Sequence, residues 1–332
     1  MQNNLKDLFL ERVEHNITKA TSKKNENIHE ALLSFFDVVN FEYYKQTNQL
    51  NVLKEIFFRQ KNEIFKKFFE PKNSLFFRYI DIKVIENIFF WSMEFYKYIF
   101  STDDKHTLKA LYPELKQILK FFLHVPSPYV NLKNRAYLET RLKDEWDFME
   151  KNSFFISSYI NSLWYNFLSI MHFFGMQMMD LDVTETTHNL IQYIEKTFAS
   201  RFWDEEENYL RFTYNEFIPV FSSLAIWTLS LNFKELLFKQ KRKKIIISIE
   251  ENFYSNFGLL LDLRKKTKSS QLLPIFWQAY LKYYKFTPNS LTYIQKKIKS
   301  HVESVNLLDF EIDNYHYNKN FLNFLSEVKL DI

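Results

Sequence analysis

The sequence predicts an all-α protein, one toroid of paired helices, and three observations predict it. Apolar residues recur at helical spacing in block after block. Glycine is nearly absent, with Gly175 and Gly258 the only two in 332 residues. Capping residues punctuate the blocks.

Periodicity comes first. Ile85, Ile88, Phe89, Met93, Tyr96 and Ile99 fall on one face of a helix over 82–100. After a short N-terminal helix, comparable blocks run near 27–45, 48–69, 82–100, 104–123, 132–149, 154–174, 183–200, 215–232, 240–256, 270–285, 289–303 and 315–328. Taken in pairs these make six hairpins. No linker rich in Pro, Gly or Ser divides them, so residues 1–26 read as an N-terminal helix and lead-in and 27–332 as one helical-hairpin toroid. Stacked hairpins of a solenoid would give the same periodicity, but no fixed period of residue identities is present.

The scarcity of glycine removes the usual material for turns at positive φ and for sheet bulges. It also excludes the G-x-S-x-G elbow, the phosphate-binding P-loop and the dinucleotide fingerprint. Helix starts are marked by Ser101-Thr102-Asp103-Asp104, by Asp182-Val183-Thr184-Glu185 and by Thr287-Pro288, with proline at the first helical position.

Composition narrows the chemistry further. With no cysteine there is no disulfide, thiolate metal site or cysteine nucleophile. His29-Glu30 lacks the second histidine of a zinc-peptidase helix, and no metal or cofactor is expected. The net charge of +4 is too balanced to require nucleic acid. The basic runs 239–244 and 264–268 read as solvated helix ends. MQNNLKDLFLERVEHN alternates charge with apolar residues, and no segment reaches the roughly 18 apolar residues of a membrane span, so a cytoplasmic location without membrane contact is expected. Nothing fixes the oligomeric state. The 37 Phe and 20 Tyr follow the codon usage of an A- and T-rich genome, and most serve as core.

Several short elements occur in a telling order. Glu94-Phe95-Tyr96-Lys97-Tyr98 leads through Asp103 to Leu111-Tyr112-Pro113-Glu114-Leu115. Trp146-Asp147-Phe148 follows, then Asn161-Ser162-Leu163-Trp164-Tyr165, then Phe202-Trp203-Asp204-Glu205-Glu206. Gln271-Leu272-Leu273-Pro274-Ile275-Phe276-Trp277 and Asp309-Phe310-Glu311-Ile312-Asp313 come last. This succession resembles the sugar-cleaving domain of trehalases, processing α-glucosidases and glycogen-debranching enzymes, across roughly 30–328.

The resemblance implies an (α/α)6 toroid and an inverting hydrolase of an α-glucoside or related small glycoside. In those families a W-D-F/Y element carries the general acid, here Asp147, and a late element supplies the general base, here Glu311. Inversion places two such carboxyls roughly 6.5–9.5 Å apart, with room for a water. Burial beside Trp146 and Phe148 would raise the Asp147 pKa toward its working range. Arg78 falls where a substrate-contacting arginine precedes its helix, and Phe36-Asp37 stands where the families have W-D. Trp146, Trp164 and Trp277 are expected as platforms for sugar rings, and Asp37, Arg78, Asn161 and Gln271 as hydrogen-bonding partners of hydroxyls. The implied partner is a small carbohydrate or glycan.

The chain departs from the pattern where Lys143-Asp144-Glu145 replaces E-S-G before Trp146, and where the W-D pair after Gln271 is missing. A non-catalytic glycan-binding or protein-interaction module on the same toroid is therefore the alternative. Isomerase or lyase chemistry, which the fold also hosts, stands third.

Overall fold

The computed structural model describes residues 2–22, 38–62, 82–124, 130–133, 135–141, 154–214, 220–230, 233–261, 268–283, 288–305 and 314–327. The chain divides into two compact units, one of residues 23–201 and 213–215, the other of 1–22, 202–212 and 216–332. The N-terminal helix α1 (Gln2–Ser22) belongs to the second of these units.

In the first unit, α2 (Phe41–Gln46) and α3 (Leu50–Gln60) lead to two long helices, α4 (Ile82–Thr102) and α5 (Lys105–His124). Asp104 starts α5 as expected for a cap: it accepts the Thr107 N–H at 3.0 Å, the Tyr98 hydroxyl at 2.9 Å and the Lys54 ammonium at 2.8 Å. These charged and neutral donors hold the Asp104 carboxyl well below the usual carboxylate range against the opposing effect of its burial. A second hairpin pairs α6 (Ser158–Gln177) with α7 (Leu181–Phe202), capped at Asp180, two residues before the position the sequence suggests. Asp180 also accepts from the Tyr112 hydroxyl at 3.0 Å and from Lys116 at 2.5 Å, tying α5 to the α6–α7 turn. Gly175 permits the close approach of α7, since a Cβ there would lie 2.9 Å from Thr184 Oγ1.

The core of this unit is aromatic. Phe89 from α4, Phe122 from α5 and Trp164 and Phe167 from α6 lie with ring centroids 5.3–6.4 Å apart.

The second unit contains α8 (Lys239–Ser248), α9 (Leu272–Tyr283), α10 (Pro288–Ser304) and α11 (Tyr315–Glu327). Proline opens α10, as its fixed φ and missing N–H favour. Phe9 of α1 stacks on Phe321 of α11 at 4.1 Å, and Asn318 donates to Asn16 at 2.9 Å.

Three of the sequence blocks are not continuous α-helices. Residues within 132–149 form strands β1 (Val130–Lys133) and β2 (Tyr137–Arg141), paired Leu132↔Leu138 and Lys133↔Tyr137. Within 215–232, Ser223–Leu229 is a 3-10 turn capped by Ser222, and Pro219 just before it cannot donate into a helix interior. Helix α8 ends in a π-turn over Ile249–Phe253, after which the chain extends into the small sheet β6 (Tyr254–Ser255), β7 (Gly258–Leu260) and β8 (Lys268–Ser269).

Turn chemistry also departs from expectation. Asn48, Asp103, Arg135, Met179 and Asn208 take φ between 49° and 71° without being glycine. Asn and Asp tolerate this region through local side-chain bonding, whereas Arg135 and Met179 occupy it at a cost of roughly 1–2 kcal/mol each.

Candidate active site

Strand β2 is where the candidate site is anchored. Tyr137-Leu138-Glu139-Thr140-Arg141, with the β-favouring Tyr137 and Thr140 buried, pairs on its other side with β3 (Phe154–Phe155), in register Thr140↔Phe155 and Arg141↔Phe154. Residues 142–153, which carry Trp146 and Asp147, lie outside the described residues; the two strands that flank them are antiparallel neighbours.

The ladder between β2 and β3 is only two pairs long, because Ser157 turns the chain into α6. Its Oγ accepts the Ile160 N–H at 3.0 Å. Asn161, one helical turn on, continues the ladder with its side chain. Its Oδ1 accepts from the Leu138 N–H at 2.7 Å, and its Nδ2 donates to the Leu138 carbonyl at 2.9 Å and to the Ser157 carbonyl at 2.8 Å. A carboxamide has the donor and acceptor geometry of a peptide group, so Asn161 serves as the missing strand partner.

Trp164, a further turn along α6, donates its indole N–H to the Ala136 carbonyl at 3.0 Å. From α7, Thr197 meets the Tyr137 hydroxyl at 2.9 Å, and the Arg201 guanidinium sits between the rings of Tyr137 and Tyr214, 4.8 and 5.0 Å from their centroids. Sheet and helices thus fix β2 at every residue from Ala136 to Arg141.

This geometry corrects two expectations. Asn161 and Trp164 are fully buried, with every polar atom of Asn161 and the one indole donor of Trp164 committed to main chain. The fully buried Trp164 ring lies 5.5–6.0 Å from those of Phe89, Phe122 and Phe167, so it packs in the core rather than offering a platform to a sugar.

Trp277 is likewise fully buried, in α9, against Phe321, Phe324 and His301 at 5.5–5.8 Å. Gln271 is half-buried at the start of α9, and its carbonyl accepts from Asn320 at 3.0 Å. Asp37, Arg78 and Glu311 lie outside the described residues. After Glu311 the chain enters α11 at Asn314, whose Oδ1 accepts the Tyr317 N–H at 3.0 Å.

The Trp203-Asp204 element forms a hairpin, β4 (Trp203–Asp204) with β5 (Tyr209–Leu210). Asp204 is buried and accepts the N–H groups of Glu206 and Glu207 at 3.0 Å each, and the Arg211 side chain at 2.7 and 2.8 Å. These donors, the Glu207 N–H foremost, hold its carboxyl below the ordinary range. The basic run 239–244 folds back onto the same hairpin: Lys241 bonds Glu205 at 2.8 Å and lies 4.6 Å over the Trp203 ring, while Arg242 pairs with Glu235. Two charges of this run, Lys241 and Arg242, are thus paired with local carboxylates. No group of three or more His, Asp or Glu able to hold a metal occurs among the described residues, and no helix among them is long and apolar enough to cross a membrane.

Residues 157–269, from the Ser157 cap to β8, match the family model for amylo-alpha-1,6-glucosidase. Solved structures agree over a longer span. An unsaturated glucuronyl hydrolase specific for heparin aligns with 97% of this chain and 97% of its own at a TM-score of 0.56 and 11% identity. A UGL structure with dGlcA-Glc-Rha-Glc aligns with 89% of this chain and 85% of its own at 0.52 and 12%. The chain has the (α/α)6 toroid fold of the six-hairpin glycosidases. No curated protein matches it in sequence.

Sequence reasoning missed Leu138, Tyr137, Thr197 and Arg201 as the residues that secure β2. The β-favouring Tyr137 and Thr140 within one five-residue run were the available signal.

Proposed function

We propose that the chain is an inverting glycoside hydrolase of an α-glucoside or related small glycoside, with Asp147 as general acid and Glu311 as general base. The observation that carries this reading is the match of 157–269 to the amylo-alpha-1,6-glucosidase model, immediately after the W-D-F element. The fold supports it, since one of the solved structures that share it is an unsaturated glucuronyl hydrolase specific for heparin and another holds dGlcA-Glc-Rha-Glc. The secured strand β2 also supports it, because a general acid must be held within hydrogen-bond reach of the leaving oxygen.

In this mechanism protonated Asp147 gives its proton to the glycosidic oxygen as the bond to the anomeric carbon breaks. Glu311 takes a proton from the water attacking the opposite face. Trp146, Asp37, Arg78 and Gln271 surround the sugar. No cofactor enters.

The test is a panel of α-glucosides and α-glucosyl oligosaccharides, with the anomer released followed by NMR. Wild type is expected to give the β-anomer first, and Asp147→Asn or Glu311→Gln to lose at least about a hundredfold in kcat with unchanged melting. Full activity in both variants would overturn the assignment. Retained glycan binding without hydrolysis would establish the non-catalytic module instead.

A further inference from the structure

We propose that His172 of α6 and His188 of α7 form a two-histidine site for a divalent transition-metal ion, Zn²⁺, Ni²⁺ or Cu²⁺, apart from the glycosidase reading and independent of it. The two rings lie across the α6–α7 hairpin with centroids 5.7 Å apart and planes inclined by 32°. His172 is 15 residues beyond the Ser157 cap (172 − 157), roughly 22 Å along the helix, so the pair is distant from the residues that secure β2. Mutual packing accounts poorly for the pair, since His188 is exposed and buries little.

Hydrogen bonding prepares one nitrogen on each ring. His172 Nδ1 lies 3.1 Å from the Thr184 carbonyl oxygen and 3.3 Å from Thr187 Oγ1. A carbonyl only accepts, and the Thr187 hydroxyl gives its own proton to the Val183 carbonyl at 2.6 Å, so Nδ1 carries the ring proton. In the neutral ring the lone pair is then on Nε2, which bonds none of the described residues. A ring N–H given to a main-chain carbonyl is the bond that fixes the tautomer and orientation of histidine ligands in metal sites. His188 reaches the same tautomer by another route. The Gln192 amide nitrogen, 2.9 Å from its Nε2, can only donate, so Nε2 accepts. Gln192 and His188 are both exposed, so water replaces that bond at little cost and the second lone pair is released.

The spacing suits a shared ion. Metal–nitrogen bonds of about 2.0–2.1 Å put each ring centre roughly 3.2 Å from the ion, and the two centres roughly 4.5–5.2 Å apart for angles between square-planar and tetrahedral. A small rotation of the exposed His188 side chain closes the difference from 5.7 Å. Local charge favours a cation: α6 carries no Lys, Arg, Asp or Glu, and α7 carries Asp182 and Glu185 but no basic residue before Lys196. Two imidazoles select borderline transition metals over Mg²⁺ and Ca²⁺, which take oxygen ligands. Water completes the coordination. An ion held by both rings cross-links α6 to α7 and stabilises the hairpin, because only the folded chain brings the pair together.

The experiment titrates the full chain with Zn²⁺ by calorimetry and records the electron paramagnetic resonance of bound Cu²⁺, in wild type, His172→Ala and His188→Ala. Wild type is expected to bind Zn²⁺, to melt higher in Zn²⁺ but not in Mg²⁺, and to show two nitrogen ligands on Cu²⁺. Either substitution should weaken binding by at least about tenfold and leave a single nitrogen ligand. His188 is exposed, so His188→Ala keeps the fold and carries the test should His172→Ala fail to fold. Absence of Zn²⁺ and Cu²⁺ binding in wild type would overturn the site. So would unchanged affinity in His188→Ala, which would place the ion on another of the chain's histidines. Neither result bears on the hydrolase reading, whose test is turnover in the Asp147 and Glu311 variants.

Discussion

Single side chains in this protein decide more than their hydropathy suggests. Asp204, in a motif that reads like chemistry, is a structural carboxylate: it accepts two turn N–H groups and the Arg211 fork. Asp204→Ala strands the turn donors and the guanidinium, and should cost about 2–3 kcal/mol of stability in urea unfolding. Asp204→Asn keeps the turn acceptor and should cost less. Equal melting of wild type and the alanine variant would refute this role. His301 is the second case. It is buried, bonded through Nδ1 to the Asn256 carbonyl and through Nε2 to the Tyr317 hydroxyl at 2.7 Å. Its Nδ1 donates to that carbonyl, the neutral ring leaves Nε2 to accept from the Tyr317 hydroxyl, and burial favours the neutral form by lowering the pKa from the ordinary value near 6.5. The sign follows: the unfolded chain takes up the proton first, so the stability His301 contributes is complete above about pH 6.5 and is lost as pH falls from there toward the depressed folded value. A His301→Gln variant should flatten the pH dependence of unfolding in that window, and an unchanged slope would count against the neutral-ring arrangement.

At the scale of elements, the sequence is short of glycine and the structure reveals what replaces it. Met179 takes φ 55° at the α6–α7 turn and is 88% exposed, so its side chain contributes little packing while its Cβ strains the backbone. Met179→Gly should therefore raise stability by about 1 kcal/mol, read as a higher urea midpoint at unchanged slope. A lower midpoint would mean that the exposed methionine makes contacts this account omits. Gly258 is the converse. At φ 150° it lies against the Ser269 main chain, where a Cβ would sit 2.8 Å from a carbonyl carbon, so no other residue fits.

Over the whole molecule, the separation of roles follows the fold. The balanced net charge of +4 is matched by pairing of the basic run 239–244 with Glu205 and Glu235. The expected loss of turnover in Asp147→Asn and Glu311→Gln without loss of melting temperature belongs to this scale, because it asks whether two carboxyls 164 positions apart in sequence (311 − 147) act on one substrate.

The helices of the fold were legible because an amphipathic stripe is a local property, written at spacings of three and four residues and readable without knowing what covers it. Long helices such as α4, α5 and α7 therefore start and stop within a few residues of their apolar blocks. The strands around 130–141 were not, since a short run such as Tyr137–Arg141 takes its conformation from the neighbours that pair with it, and one of these is a side chain from the following helix. The work of Asn161, Trp164 and Trp277 was hidden likewise. Whether a polar or aromatic residue faces a sugar or the core depends on which elements pack over it, and only the tertiary structure decides that.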